Sequence, residues 1–234
     1  NADAVIVDAV AEGRSRLPEA ASRTLLAEYG VPVAPFDVAE TPDEAVAVAR
    51  GFCGPVAMKV ASPDVVHKTE TGGVELAVEG DAEVREAFNR IVANVESHHP
   101  AARIDGVLVS PMVEGGTELF VGVTADPEVG PVAVCGFGGT LVEVIDDVAF
   151  RALPLTEYDA RTMIDDLDRR ELLEGTRGSP PVDVEALVDL LLSVSRFVTE
   201  NPGVAELDVN PVVATENGLS AVDAHVELDA GPGR

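Results

Sequence analysis

The chain has 234 residues, 42 acidic against 16 basic, for a formal net charge of −26, and 46% of it is hydrophobic. That hydrophobic share excludes a disordered chain, and the charge argues against a nucleic-acid or anionic-membrane partner, because counterion release needs a basic face. No apolar run reaches the ~18 residues of a membrane span, and the opening residues lack the basic start and apolar core of a leader. Cys53 and Cys135 have neither metal-ligand spacing nor a disulfide framework. The sequence reads as a cytosolic protein of one large domain or two subdomains. Its acids are dispersed, and it has two lysines against fourteen arginines, a pattern expected of a very salty cytoplasm where screening makes self-repulsion tolerable.

Residues 1–17 are poorly patterned and read as one short helix and a linker ending at Pro18. From Glu19 to Tyr29 the positions Ala21, Leu25, Leu26 and Tyr29 have helical spacing, and Gly30 supplies a stop. VPVAPFDVA (31–39) reads as extended. Thr41-Pro42-Asp43-Glu44 carries a capping-box start with proline at the first helical position. Strand PVAMKV (55–60), a polar loop and strand GVELAV (73–78) follow. Asp81 is expected to cap a helix whose Val84, Phe88, Ile91, Val92 and Val95 form one apolar face. GVLVSPMV (106–113) reads as a buried strand, ELFVGVT (118–124) as its return, and PVAVCGFGG (131–139) as a strand ending in glycines. LVEVIDDVAF and the segment up to Leu155 are ambiguous between strand and loop. Helices are expected from Glu157 to about Leu167 and from Asp183 to Thr199, and the chain closes on a hairpin about Asn217-Gly218. Strands joined by tight turns, with helices interspersed, predict an α+β architecture of two lobes rather than a doubly wound parallel sheet.

Both lysines, Lys59 and Lys68, fall in one window, PVAMKVASPDVVHKTETGGVEL (55–76), with His67 beside Lys68. Lysine is a compact point charge that reaches a phosphate through a narrow gap, and Gly72-Gly73 would let the backbone offer N–H groups to phosphate oxygens. The bland alternative for Lys59 is an edge-strand lysine reaching solvent; for Gly72-Gly73 it is an ordinary hairpin. His67 can act as nucleophile or general base, or simply hydrogen-bond Asp64.

A second constellation is ELDVNP with Asp223 across the closing hairpin. Glu206, Asp208 and Asn210 share one strand face, and hard oxygens there suit Mg²⁺ holding phosphates. Acid decoration of an acidic protein is the alternative. In SPMVEGGTELF, the segment Pro111, Met112, Val113 could face an adenine edge and Glu118 could hold ribose hydroxyls. In GFGGTLVEVIDDVAFR, Arg151 could neutralise a transferring phosphoryl, and the Gly136–Gly139 cluster is a candidate partner contact.

Taken in order, these segments resemble an ATP-grasp fold of two α+β subdomains, over roughly Pro18 to Val226. EAASRTLLAEYGVPVAP is similar to the opening of succinyl-CoA synthetase β subunits. SPDVVHKTETGGVEL, GFGGTLVEVIDDVAFRALPL, LLEGTRG and AELDVNPVV more closely resemble the β subunit of nucleoside-diphosphate-forming acyl-CoA synthetases, in particular ADP-forming acetate–CoA ligase. Those enzymes interconvert acyl-CoA, ADP and phosphate with carboxylate, ATP and CoA, through an acyl phosphate and a phosphohistidine. The resemblance implies ATP/ADP and Mg²⁺ as cofactors. It implies nucleotide-phosphate contact by Lys59 and Lys68, Gly72-Gly73 in the covering loop, a hinge at 111–113 and a ribose contact at Glu118. Asn210 and Asp223 match metal-ligand positions, with Asp208 supporting, and His67 matches a histidine that receives the phosphoryl group.

The implied domains are an N-terminal extension 1–17, a subdomain 18–108 with the phosphate loop, and a subdomain 109–234 with the hinge and metal hairpin. This chain has no stretch resembling the CoA-binding or main phosphohistidine domains. The resemblance therefore implies a separate α subunit carrying them, in an α2β2 assembly. The competing readings are an ATP-grasp module that binds nucleotide only for regulation, and a succinyl-CoA synthetase β-like chain, against which the HKTETGG loop argues.

Overall fold

Antiparallel strand pairing sorts the chain into two sheets, each with helices packed on it. The computed structural model describes residues 2–65, 68–139, 147–175 and 181–229. Contacts divide the chain into two units, one comprising Ala34–Val113 and the other Asn1–Val33 with Glu114–Arg234. This division differs from the expected boundaries at 17/18 and 108/109. The Leu17 amide donates to the Val226 carbonyl at 3.0 Å, and the Ala221 amide donates to the Pro32 carbonyl at 2.8 Å. Backbone groups at a sheet edge must be satisfied somewhere, and here the first 33 residues satisfy those of the closing hairpin.

The unit Ala34–Val113 holds strands β1 (Asp37–Ala39), β2 (Val56–Ala61), β3 (Val74–Val78) and β4 (Gly106–Pro111), ordered β1-β4-β2-β3. Helices α3 (Pro42–Ala49) and α4 (Asp81–His98) cover one face. Val84, Ala87, Phe88, Ile91 and Val95 form the buried stripe of α4 and meet Val56, Met58 and Val60 of β2. The Thr41 hydroxyl accepts from the Glu44 amide at 3.2 Å, but the Glu44 carboxylate reaches back to the Glu40 amide at 2.8 Å rather than to Thr41. Asp81 is the first residue of α4 and not its cap. Gly80, at φ 87°, takes that position, and Asp81 pairs with Arg50 instead.

The larger unit holds β5 (Thr117–Asp126), β6 (Gly130–Phe137), β7 (Val148–Ala152), β8 (Val204–Thr215), β9 (Gly218–Ala221) and β10 (Ala224–Leu228). Their order is β10-β8-β5-β6-β7, with β9 beside β8. Its helices are α1 (Ala2–Ala11), α2 (Glu19–Glu28), α5 (Glu157–Asp165) and α6 (Val184–Glu200). The buried side of α6, including Leu187, Leu191, Val194 and Phe197, packs into one core with Leu119, Val121 and Val123 of β5. The stretch that was ambiguous in sequence gives strand from Val148; residues 140–146 lie outside the described residues.

A capping box starts α5. The Thr156 hydroxyl accepts from the Asp159 amide, and the Asp159 carboxylate accepts from the Thr156 hydroxyl at 2.6 Å and the Thr156 amide at 2.9 Å. Those two bonds hold the Asp159 carboxyl below its ordinary range. Its stabilisation is therefore present above the unfolded-state pKa, about 4, and is lost as pH falls through the lower folded value. Asp159→Asn should lower the urea midpoint at neutral pH, and the gap to the parent should close on acidification. A gap that stays constant into strong acid would contradict this.

Candidate functional site

In an antiparallel sheet, residues paired across strands share a face. On the six-stranded sheet one face is the core. The opposite face carries the row His225–Asp208–Gly122–Val134–Phe150 and, next to it, Phe120 beside Gly136. From Glu206 to Asn210 the alternation along β8 is strict: Leu207 and Val209 are buried, while Glu206, Asp208 and Asn210 are exposed. Gly122, directly opposite Asp208, contributes no side chain, so the carboxylate stands over open backbone.

The regular pairing breaks next to Asn210. Leu119 faces Val212 and Val121 faces Val209, so two steps on β5 span three on β8, a bulge at Asn210-Pro211. Bulges re-aim a side chain where pairing is interrupted. The partner strand breaks at the same level, ending β9 at Ala221 and starting β10 at Ala224. Asp223 sits in that break. The Asn210 amide donates to the Asp223 carbonyl at 3.2 Å, and the Val222 amide donates to the Pro211 carbonyl at 2.9 Å. The Asp223 carboxylate accepts from the Ala224 amide at 2.8 Å and lies 3.5 Å from His225 Nε2. Desolvation pushes the Asp208 carboxyl up, His225 pulls it back, and Asp223 pushes it up again.

Further along the same face, the Gly138 amide donates to the Glu118 carbonyl at 2.7 Å. A Cβ added to Gly139 would lie 2.1 Å from Glu118 Oε2, so the carboxylate is seated against that glycine. Gly136 and Gly138 are buried and Gly139 is exposed, so of the three only Gly139 offers the exposed surface expected of the cluster.

In the other unit, Lys59 lies on β2, an interior strand, and is 9% exposed, so the edge-strand reading does not apply. Its face is the one opposite Met58 and Val60, which enter the helix-covered core. Lys68 is half-buried at the start of the turn. The Gly73 and Gly72 amides donate to the Lys68 and Thr69 carbonyls at 2.7 and 3.1 Å, so both are engaged within the turn rather than extended to a ligand. Gly72 has φ 66°, and its carbonyl accepts from Asn94 at 3.1 Å. A Cβ there would meet Asn94 Nδ2 at 2.7 Å, so these glycines let the turn seat on α4. Pro111 ends β4, the Met112 amide donates to the Pro55 carbonyl at 3.0 Å, and the chain leaves this unit after Val113. Any base-edge contact from 111–113 must use a group other than the Met112 amide. His67 lies outside the described residues.

The profile of an ATP-grasp domain matches residues 8–228. The chain is 40% identical over 224 residues to the β subunit of acetate–CoA ligase [ADP-forming] I of Pyrococcus furiosus, covering 96% of each. It is 44% identical over 223 residues to acetate–CoA ligase [ADP-forming] I of Archaeoglobus fulgidus, where it spans 95% of this chain and 32% of that protein. This chain belongs to the ATP-grasp β-subunit family of ADP-forming acid–CoA ligases. In structure it is similar to acetyl-coenzyme A synthetase 1 of Ca. Korarchaeum cryptofilum, solved with coenzyme A and Ca-AMPCP, with a TM-score of 0.92 at 39% identity, over 97% of this chain and 100% of that one. The same enzyme was also solved with Mg-AMPPCP, its phosphohistidine segment pointing towards the nucleotide binding site.

For an ATP-grasp domain, the oxygens of Asp208, Asn210 and Asp223 fit Mg²⁺, which takes few protein ligands and keeps water or phosphate oxygens for the rest. Among the described residues, no group of three or more His, Cys, Asp or Glu side chains could hold a metal ion. Sequence reasoning missed Gly122, Phe120 and His225 on this face. A glycine inside a strand was the available signal.

Arg151 stands apart from Asp208 on the six-stranded sheet. It pairs with Ala133 in the row Val226–Leu207–Val123–Ala133–Arg151, the core side of the sheet, on edge strand β7. That is the opposite face from Asp208 and three strand spacings, about 14 Å, from β8. Its guanidinium donates to Asp166 at 2.5 Å and to the Phe150 carbonyl at 2.8 Å. Arg151→Ala should cost stability, up to about 1 kcal/mol for a partly exposed pair. Nucleotide affinity measured by calorimetric titration should not change.

Proposed function

We propose that this chain is the nucleotide-binding β subunit of an ADP-forming acyl-CoA ligase directed to acetate. It passes a phosphoryl group between ATP/ADP and histidine so that acyl-CoA, ADP and phosphate interconvert with carboxylate, ATP and CoA. The observation that carries the reading is the break in the closing hairpin, which couples Asn210 to Asp223 beside Asp208 on one open face. A regulatory binding module would have less use for a hard-oxygen cation site, since binding alone does not require charge neutralisation of a transferring group.

In this reading Lys59 and Lys68 neutralise nucleotide phosphates, Gly72 and Gly73 shape the covering turn, Pro111–Val113 faces the base and Glu118 holds the ribose. Asp208, Asn210 and Asp223 would hold Mg²⁺, which when bound supplies charge neutralisation on the β- and γ-phosphates. An imidazole nitrogen of His67 attacks the γ-phosphorus, the bond to the ADP oxygen breaks, and ADP leaves with that electron pair. The partner is an α subunit carrying the CoA-binding and main phosphohistidine domains, in an α2β2 assembly within a high-salt cytoplasm. No described helix is long and apolar enough to cross a membrane.

The test is incubation of the chain with Mg²⁺ and γ-labelled ATP in high salt. Acid-labile, base-stable label that disappears in His67→Ala is the expected result; absence of Mg²⁺·ATP binding would overturn the reading. Glu118→Gln should weaken nucleotide binding about tenfold, the value of a hydrogen bond to a charged group. Gly139→Ala should do the same by displacing that carboxylate, and the double variant should be no worse than either single one.

A further inference from the structure

Helix α1 is apolar at every position except Asp3 and Asp8. A helix apolar almost all round is expected to be covered on more than one side. Here Ile6 and Ala9 enter the core of the larger unit, while Val7 is 62% exposed. Ile6, Val7, Val10 and Ala11 wall a cavity of about 390 Å³, whose other side is the turn from Asn201 to Gly203 between α6 and β8. That volume falls in the range of small-molecule sites, about 300–1,000 Å³.

Asn201 is only 2% exposed. Its side-chain NH2 donates to the Phe197 carbonyl at 2.7 Å and to the Tyr29 hydroxyl at 3.0 Å. A carbonyl can only accept, so the NH2 group must face Phe197 and the amide cannot be turned round. Its Oδ1 is then left buried, with no hydrogen-bond partner among the described residues. Leaving a buried acceptor unpaired is destabilising, and native folds rarely tolerate it without a reason.

We propose that this cavity binds a small uncharged molecule with an apolar body and one hydrogen-bond donor, the donor serving Asn201 Oδ1. No residue lining the cavity is charged, although the chain carries a net −26, so an ionic ligand would enter without a counter-charge. The aliphatic side chains of α1 supply contact for the apolar body. Asn201 supplies the one polar side chain of the lining, and its unmet need is for an O–H or N–H. None of these residues belongs to the nucleotide site proposed above, so the inference stands apart from that reading. Gly203 immediately precedes β8, and a ligand here would bridge α1 to the strand that carries Asp208 and Asn210.

The test titrates the ¹⁵N-labelled full chain in high salt with benzyl alcohol and with its isomer anisole, which has the same atoms but no donor. Amide signals are followed by NMR. Benzyl alcohol should shift the signals of Val7, Val10 and Gly203 together with the side-chain amide of Asn201. Anisole should bind about tenfold more weakly, the value of a hydrogen bond to a buried acceptor otherwise unpaired. Benzoate, which carries a charge, should produce no shift at these positions. Ala11→Trp places a large ring at an exposed position of the wall; it should abolish the benzyl alcohol shifts and leave the thermal unfolding curve unchanged. Equal affinity for the two isomers, the outcome if a buried water already satisfies Oδ1, overturns the assignment of the donor to Asn201. Absence of localised shifts in the parent, or shifts that survive Ala11→Trp, overturns the site itself.

Discussion

The period-two geometry of β-strands governs this molecule. On the six-stranded sheet, each strand spends alternate residues on the core beneath it and displays the rest on the other face. Leu207 and Val209 are committed to packing, so Asp208 and Asn210 must be displayed. The same rule removes Arg151 from the site, since its row partners Ala133, Val123 and Leu207 are all core residues. A local departure, the bulge at Asn210-Pro211, lies at the break in which the Asn210 amide meets the Asp223 carbonyl.

Much of this was legible from residue patterns. The α+β character, the strand pairs on both sides of the Gly72-Gly73 turn, and the shared face of Glu206, Asp208 and Asn210 follow from alternation and turn chemistry. Lys59 was suspect because lysine is scarce, and the structure places it on an interior strand. The division of the chain was not legible, because pairing of Arg16 with Glu227 joins residues at opposite ends of the sequence and leaves no local trace. Arg151 was misplaced because the strand's alternation could not be phased from an ambiguous segment. The roles of Gly72 and Gly73 changed too: their backbone freedom serves contact with Asn94 and Val60.

Lysine and arginine divide the electrostatic labour. Arg90 forks onto Glu75 at 2.7 and 2.8 Å and reaches Glu83, and Arg161 joins Glu157 and Glu185. These pairs are exposed and individually weak, but they hold guanidinium groups among the dispersed acids of a −26 chain. Among the described residues Arg23 is the exception, an arginine wholly inside the fold.

Because Asn1–Val33 packs with Glu114–Arg234, the unit Ala34–Val113 is an insertion within another unit. During synthesis the inserted part is complete once its own residues have left the ribosome, and its contacts are local. The host must wait: α2 is made before the inserted unit, while the strand that covers it, β10, is made after it. Leu25 and Leu26, buried in the finished core, therefore stay without their final packing while the whole inserted unit is synthesised. In such a chain the order of manufacture and the order of assembly differ, and α2 is where a chaperone would be needed most.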